Sequence, residues 1–271
     1  MFRETKTGAT YVGDSRVLLK TANGFKLYVD SRDISIAPHL ILDGVWEEWT
    51  EAVLRQLLRP GMTVVEAGAN VGYFTLVMAR CVGATGRVVS FECDPGLAGL
   101  ARDNVEINGL HRVARIDERA LGERPGRVTF YSTDRHRGGG SLVAGLEQMP
   151  HNATDQRSAI EVEMTTLDAW VKATGAQPDL LKLDAEGAEP AILRGGAALL
   201  DSDRPLTVVM EFFPRFVREA GDDPASLLKF LESKRFALAV IDERRRRVVS
   251  TTAAALLERE SSELVLRRTS G

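Results

Sequence analysis

At 271 residues the chain has room for one large α/β domain with a small appendage, and a well-filled core is expected. Lys and Arg total 35 against 38 Asp and Glu, a balance that argues against general affinity for polyanions and so against a nucleic-acid substrate. No apolar run approaches the ~20 residues that span a bilayer, residues Met1 to Tyr11 lack the apolar core of a signal peptide, and Cys81 and Cys93 show no metal-ligand spacing. A soluble, cytoplasmic protein with reduced thiols and no membrane partner is expected.

In chain order, Val17 to Thr21 and Phe25 to Val29 flank Ala22-Asn23-Gly24, and an Asn-Gly pair between two β-rich runs predicts a hairpin. Trp46 to Leu58 has helical spacing at Trp46, Trp49, Val53, Leu54 and Leu57, closed by Arg59-Pro60-Gly61. Residues 1–60 therefore read as a β-hairpin and helix extension, and 61–271 as the main domain. From Met62 onward β and α signals alternate, which predicts an α/β fold with a doubly wound, mostly parallel sheet covered on both faces. Core strands are expected at Val64 to Ala67, Arg87 to Glu92, Ala114 to Asp117, Leu180 to Asp184 and Pro205 to Glu211. Helices are expected at Tyr73 to Cys81, Leu97 to Asn108 and Leu167 to Lys172. Val128 to Ser132 and Ile160 to Thr165 are further strands on either side of a loop rich in Gly, Ser and charge, 133–157, and segments around Phe236 to Ile241 and Glu263 to Arg267 are expected to close the sheet. The run Arg244 to Arg247 reads as a solvated turn between strands rather than a phosphate-binding patch.

The stretch Val64-Val65-Glu66-Ala67-Gly68-Ala69-Asn70-Val71-Gly72-Tyr73-Phe74 joins an apolar run to a glycine turn and then to a helix. That order suits a nucleoside cofactor lying across the carboxyl end of a parallel strand. Gly68 is expected to let the backbone approach the ligand, and Gly72 to let the helix pack close to the strand. The glycines are four apart with none at the middle position of a dinucleotide fingerprint. Glu66, expected to face the cofactor, would repel a pyrophosphate but suits a ligand carrying ammonium and sulfonium centres. S-adenosylmethionine is thus expected over NAD.

Glu92, roughly 20 residues beyond the turn, stands where nucleoside-binding folds place an acid for the ribose hydroxyls. Asp94, directly before Pro95, fits helix capping better. Lys182, Asp184 and Glu186 occupy alternate positions and would share a face if the strand stays extended. Asp184 and Glu186 are the candidates for chemistry, with structural pairing to Lys182 as the rival reading. Glu189 reads as a dipole partner of the next helix. Glu211 either binds substrate or faces solvent. Asp184, Glu186 and Glu211 together suit a hard cation such as Mg2+, an option ranked below acid/base work or hydroxyl recognition, so no metal is assigned. Of His39, His111, His136 and His151, His136 lies in a loop able to close over a substrate, and His136 or His39 could serve as a general base.

The chain resembles the FkbM-type S-adenosylmethionine-dependent methyltransferases. The resemblance rests on Glu66 to Phe74, Phe91-Glu92-Cys93-Asp94-Pro95, Thr165-Thr166-Leu167-Asp168 and Leu181 to Glu189, in that order. The family usually has Asp where this chain has Glu66, and Pro where it has Cys93. The resemblance implies a class I, Rossmann-like methyltransferase sheet and methyl transfer to a hydroxyl of a small molecule, often a sugar or a secondary metabolite. It puts Glu66, Gly68, Asn70, Gly72, Tyr73, Glu92, Asp94 and Asp184 around the cofactor. A nicotinamide-dependent oxidoreductase and a non-catalytic ligand-binding module are the rival classes. Neither the acceptor nor the oligomeric state is legible.

Overall fold

The structure, a computed structural model, describes residues 8–146, 156–243 and 247–268. The chain opens with an antiparallel sheet of β1 (Ala9–Gly13), β2 (Arg16–Lys20) and β3 (Lys26–Asp30). The predicted hairpin is β2–β3, paired from Arg16↔Asp30 to Lys20↔Lys26. β1 was not expected. It is mostly exposed and turns into β2 through Asp14 and Ser15, both at positive φ (49° and 58°), the backbone of a tight hairpin turn without an Asn-Gly signal. Asn104 locks this small sheet to the main domain, accepting from the Tyr28 N–H at 2.6 Å and donating to the Tyr28 carbonyl at 2.9 Å.

Next come α1 (Ala37–Leu42) and α2 (Glu48–Leu57). The helix expected from Trp46 starts two residues later because Glu47 adopts a left-handed φ of 42°. Trp46 and Glu47 are thereby released from the helix.

The main domain continues through β4 (Thr63–Ala67), α3 (Tyr73–Val82), β5 (Arg87–Phe91), α4 (Pro95–Ile107), β6 (Ala114–Asp117), β7 (Ala120–Leu121), β8 (Gly126–Thr133) and β9 (Arg157–Thr165). Then follow α5 (Leu167–Thr174), β10 (Leu180–Leu183), α6 (Glu189–Arg194), α7 (Ala197–Asp201), β11 (Leu206–Phe212), α8 (Pro214–Glu219), α9 (Pro224–Ser233), β12 (Ala239–Asp242), β13 (Arg247–Ser250), α10 (Ala253–Leu257) and β14 (Ser262–Arg268). Among the described residues the central sheet has eight strands in the order β13-β12-β14-β11-β10-β4-β5-β6. β6, β5, β4, β10 and β11 run parallel, while β14 is antiparallel between β11 and β12. This is the expected doubly wound α/β sheet, and the chain reverses direction of winding between β4 and β10. A crevice forms at such a switch point, outside the carboxyl ends of the strands.

The strands expected at Val128 to Ser132 and Ile160 to Thr165 do not join this sheet. β8 and β9 pair with each other, with β7 parallel to β9, and form a separate flap. The strands flanking the arginine run pair antiparallel, β12 with β13, and residues 244–246 lie outside the described residues. So does His151.

Both faces of the central strands are buried, and parity assigns each side chain. Val64, Val88 and Leu180 pack on one side with Phe74, Val77 and Met78 of α3. Val65, Val89 and Leu181 pack on the other with Leu167, Trp170 and Ile192. A period of two then sends Glu66, Ser90 and Lys182 to the α3 side.

Candidate active site

The glycine turn between β4 and α3 is wedged between the ends of β5 and β10. The Gly68 and Ala69 N–H groups both donate to the Phe91 carbonyl, at 3.0 and 3.1 Å, and the Asp184 N–H donates to the Ala67 carbonyl at 3.1 Å. Gly68 has φ +81°, and a Cβ there would lie 1.7 Å from the Asp184 carbonyl oxygen. Its missing side chain therefore makes room for β10, not for a ligand as expected. Gly72 has φ +84°, and a Cβ would lie 3.3 Å from Ala101. It lets α3 pack on α4 rather than on the strand.

Above this turn lies a cavity of about 420 Å³, walled by the turn, the ends of β5, β10 and β11, the Ile34–Ile36 segment and the 136–142 loop. Gly68, Asn70, Tyr73, Glu92, Asp184, Glu186, Glu211, His39 and His136 are all on its wall.

Glu92 sits at the end of β5 as expected. Its carboxylate accepts from the Asn70 N–H at 2.8 Å and from the Asp94 N–H at 2.9 Å, one donor to each oxygen. Each oxygen keeps a further lone pair for a ligand hydroxyl. Burial pushes its pKa up to about 7, against the lowering effect of those two amides. Asn70 is itself at positive φ, 50°, and its side chain accepts from the Val71 N–H. Tyr73 contributes ring surface, since its hydroxyl donates to the Glu51 carboxylate.

Three expected cofactor contacts, Gly72, Glu66 and Asp94, are corrected, for none of them is on the cavity wall. Glu66 does not line the cavity. Strand parity turns it beneath α3, where one carboxylate oxygen accepts from Thr75 Oγ1 at 2.5 Å and Ser90 Oγ at 2.6 Å, and the other has no partner. It is fully buried, burial raises its pKa, and its register neighbour Lys182 opposes that rise. Asp94 also stays out of the cavity. It caps α4 by accepting from the Gly96 and Leu97 N–H groups, and binds Arg137 at 2.6 Å.

The three charges expected on one extended edge are arranged differently. β10 ends at Leu183, and Glu186 takes a left-handed φ of 47°. Lys182 points to the α3 side, with its ammonium 4.6 Å from the Phe74 ring centre and 2.9 Å from Asp184 Oδ2. Burial disfavours its charge, but the carboxylates of Asp184, Glu66 and Glu47 outweigh burial and hold its pKa above the ordinary value. Carboxylate oxygens of Asp184, Glu186 and Glu211 come within 4.8 Å of one another. Burial and then the Asp184 charge push Glu186 well up and Glu211 to about 11. Such a trio holds a proton, a hard cation or a hydroxylated ligand. Glu189 is more than a dipole partner, because its carboxylate accepts from the Ala185 and Gly187 N–H groups at 2.7 and 3.0 Å and so folds the turn that carries Glu186.

On the opposite wall, Arg137 joins Asp30 (3.3 Å) to Asp94, and Ser141 Oγ donates to the Glu186 carbonyl at 2.6 Å. Arg119, the other wall guanidinium, is held bidentate by Asp117. Both cations already have carboxylate partners, a poor setting for a pyrophosphate. Sequence reasoning assigned no role to Arg137, Glu47 or Glu263. Glu47 was hidden inside an expected helix, and Glu263 reaches the trio only through pairing of β14 with β11.

The chain is 29% identical over 204 residues to Methyltransferase 1 of Beauveria bassiana, covering 65% of this chain and 73% of that one. It is 25% identical over 191 residues to the 2-O-methyltransferase NoeI of Sinorhizobium fredii, covering 60% of this chain and 76% of that one. A shorter stretch is 37% identical over 82 residues to a protein-L-isoaspartate O-methyltransferase of Methanopyrus kandleri; it covers 30% of this chain and spans about a third, 32%, of that protein. Among solved structures, an O-methyltransferase from Bacillus cereus in complex with SAH aligns with a TM-score of 0.48 at 14% identity, over 82% of this chain and 81% of that chain. The profile of the methyltransferase FkbM domain matches residues 66–238, from β4 to the approach of β12, and the chain belongs to that family of methyltransferases, with S-adenosylmethionine as its cofactor.

Proposed function

We propose that this methyltransferase acts on a hydroxyl oxygen of a small acceptor, a sugar or a secondary metabolite. The observation that carries the reading is the Asp184, Glu186 and Glu211 trio on the wall shared with Glu92 and the glycine turn. S-adenosylmethionine supplies, when bound, an electrophilic methyl on a sulfonium and departs as S-adenosylhomocysteine.

The protein's own part is positioning and proton handling. Glu92, with its oxygens fixed by two amides, takes the ribose hydroxyls, and Asn70, Gly68 and Tyr73 shape the wall beside it. Glu186, whose pKa burial and the Asp184 charge raise well above the ordinary value, offers its carboxyl as a hydrogen-bond partner to the acceptor. Asp184, anchored by Lys182 at 2.9 Å, would accept the proton that the acceptor hydroxyl gives up on methylation. His136 on the facing loop and His39, both on this cavity's wall, are the imidazoles that could take that proton instead.

The family match and the paired wall guanidiniums favour this reading over a nicotinamide-dependent oxidoreductase. Calorimetric titration should give tight binding of S-adenosylhomocysteine and none of NADH. Methyl transfer from labelled cofactor to a pool of sugars, glycosides and polyketides would separate an enzyme from a non-catalytic ligand-binding module. Asp184→Asn should abolish turnover with cofactor affinity retained. Full turnover by both Asp184→Asn and Glu186→Gln would move the base to His136, tested by His136→Gln. No helix among the described residues is long and apolar enough to cross a membrane, which is compatible with a small acceptor met away from lipid.

A further inference from the structure

A second cavity, of about 370 Å³, adjoins the first, and Glu47 and Glu211 line both. Its floor is the end of the sheet where β11, β14 and β12 meet, with Val240 and Ile241 as the apolar part; Trp49 and Thr50 at the start of α2 close it. The methyl-transfer reading above gives this space no occupant.

Three observations define what it would hold. Ser262 Oγ, on its wall, is buried and has no hydrogen-bond partner. A buried hydroxyl left without a partner is costly, so a polar ligand group is the natural complement. Next, among the described residues the wall carries Glu47, Glu211, Glu243 and Glu263 against one cation, Arg259. Glu211 and Glu263 are direct cross-strand partners in the β11–β14 register, and burial beside neighbouring carboxylates pushes them up to about 11 and about 8, so a cation placed between them would offset the cost of ionising the pair. Finally, Trp49 offers an aromatic surface, the type that receives an organic ammonium or the C–H face of a sugar. A lone metal ion would fill little of this volume.

We infer that the second cavity is the acceptor compartment, and that it selects a polyhydroxylated acceptor bearing a protonated amine, with the ammonium between Glu211 and Glu263 and a ring hydroxyl on Ser262. An acceptor seated there extends past Glu47 and Glu211 to the Asp184 edge. Anionic acceptors are rejected by the same carboxylates. This rests on the methyl-transfer reading and adds the acceptor's charge class.

The test uses the full chain saturated with S-adenosylhomocysteine and a matched series of D-glucosamine, N-acetyl-D-glucosamine, D-glucose and D-glucuronate, with affinities read by saturation-transfer NMR. Glucosamine should bind at least about tenfold more tightly than its N-acetyl form or glucuronate. Glu263→Gln, which relieves the cross-strand repulsion, should fold and reduce the amine preference by at least about fivefold, while Ser262→Ala weakens the whole series and S-adenosylhomocysteine affinity stays unchanged. Equal affinities, a preference for glucuronate, no binding of any member, or an amine preference that survives Glu263→Gln would each overturn the inference. If S-adenosylhomocysteine itself fails to bind, both readings fall; if it binds without amine preference, this one alone does.

Discussion

Gly68→Ala tests the wedge between the glycine turn and β10. An added methyl would stand 1.7 Å from the Asp184 carbonyl oxygen, about half an ordinary carbon–oxygen contact distance, and that oxygen belongs to backbone that cannot swing away. The left-handed φ of +81° adds roughly 1–2 kcal/mol for any residue with a Cβ. Separating β4 from β10 by the missing distance would strain the Asp184 N–H to Ala67 carbonyl bond at 3.1 Å and the cavity wall with it. Together the loss should be on the order of 3–5 kcal/mol, a large part of a typical folding free energy of about 5–15 kcal/mol. In a chain of this size that is roughly 5–9 °C in Tm. Gly72→Ala is the control, because it shares the positive φ but its Cβ meets Ala101 at 3.3 Å, a tight contact that a shift of a few tenths of an ångström relieves. It should lose only about 1–2 kcal/mol. Urea melts and S-adenosylhomocysteine calorimetry on both variants decide the matter. If Gly68→Ala is no less stable than Gly72→Ala and binds cofactor normally, the close approach of β10 is refuted.

Glu92 and Glu189 are both held near 7 by burial, above the ordinary 4.5. The folded chain keeps protons that the unfolded chain releases, so their stabilising contribution is full below about pH 4.5 and is lost as pH rises through about 7. Urea midpoints should fall between those limits, and Glu92→Gln or Glu189→Gln should flatten the fall. Ribose hydroxyls favour the ionised Glu92, so S-adenosylhomocysteine affinity should rise across the same window, and Glu92→Ala should weaken it about 10–100-fold by calorimetry. Lys182→Met leaves Asp184 and Glu66 without their buried counter-charge and should cost about 3–5 kcal/mol, with Glu66→Gln recovering part of it in a double-mutant cycle. EDTA should leave methyl transfer intact if the acid trio works by proton handling; loss on chelation and recovery with Mg2+ would reassign those carboxylates as metal ligands.

The alternation of β and α signals and the order of the parallel strands were legible because each strand is buried on both faces and bounded by turn residues. Glu92 was legible from its distance to the glycine turn, and the Asp94-Pro95 pair correctly read as a helix start. Glu66 was misplaced because its proximity to Gly68 in sequence says nothing about which face a strand residue takes. Parity, counted from Val64, would have sent it to the α3 side. Gly68 and Gly72 were read as making room for a ligand and for helix–strand packing, whereas the atoms a Cβ would meet, in Asp184 and Ala101, are more than twenty residues away and only tertiary packing reveals them. Glu47 depended on one residue's left-handed backbone, which helical periodicity cannot show. The acid cluster draws on β10, β11 and β14, and sequence separation concealed Glu263 until the sheet order was known.

The insertion of β14 between β11 and β12 bears on how the protein is made. A ribosome delivers β11 and β12 before the strand that belongs between them, so until β14 emerges the two expose open edges across a gap of one strand's width, about 4.8 Å on either side. Direct pairing of β11 with β12 would shut the slot against its proper occupant. Residues 214–233 and the β12–β13 hairpin are built in that interval, and Glu263 takes its place opposite Glu211 only once β14 has entered the slot.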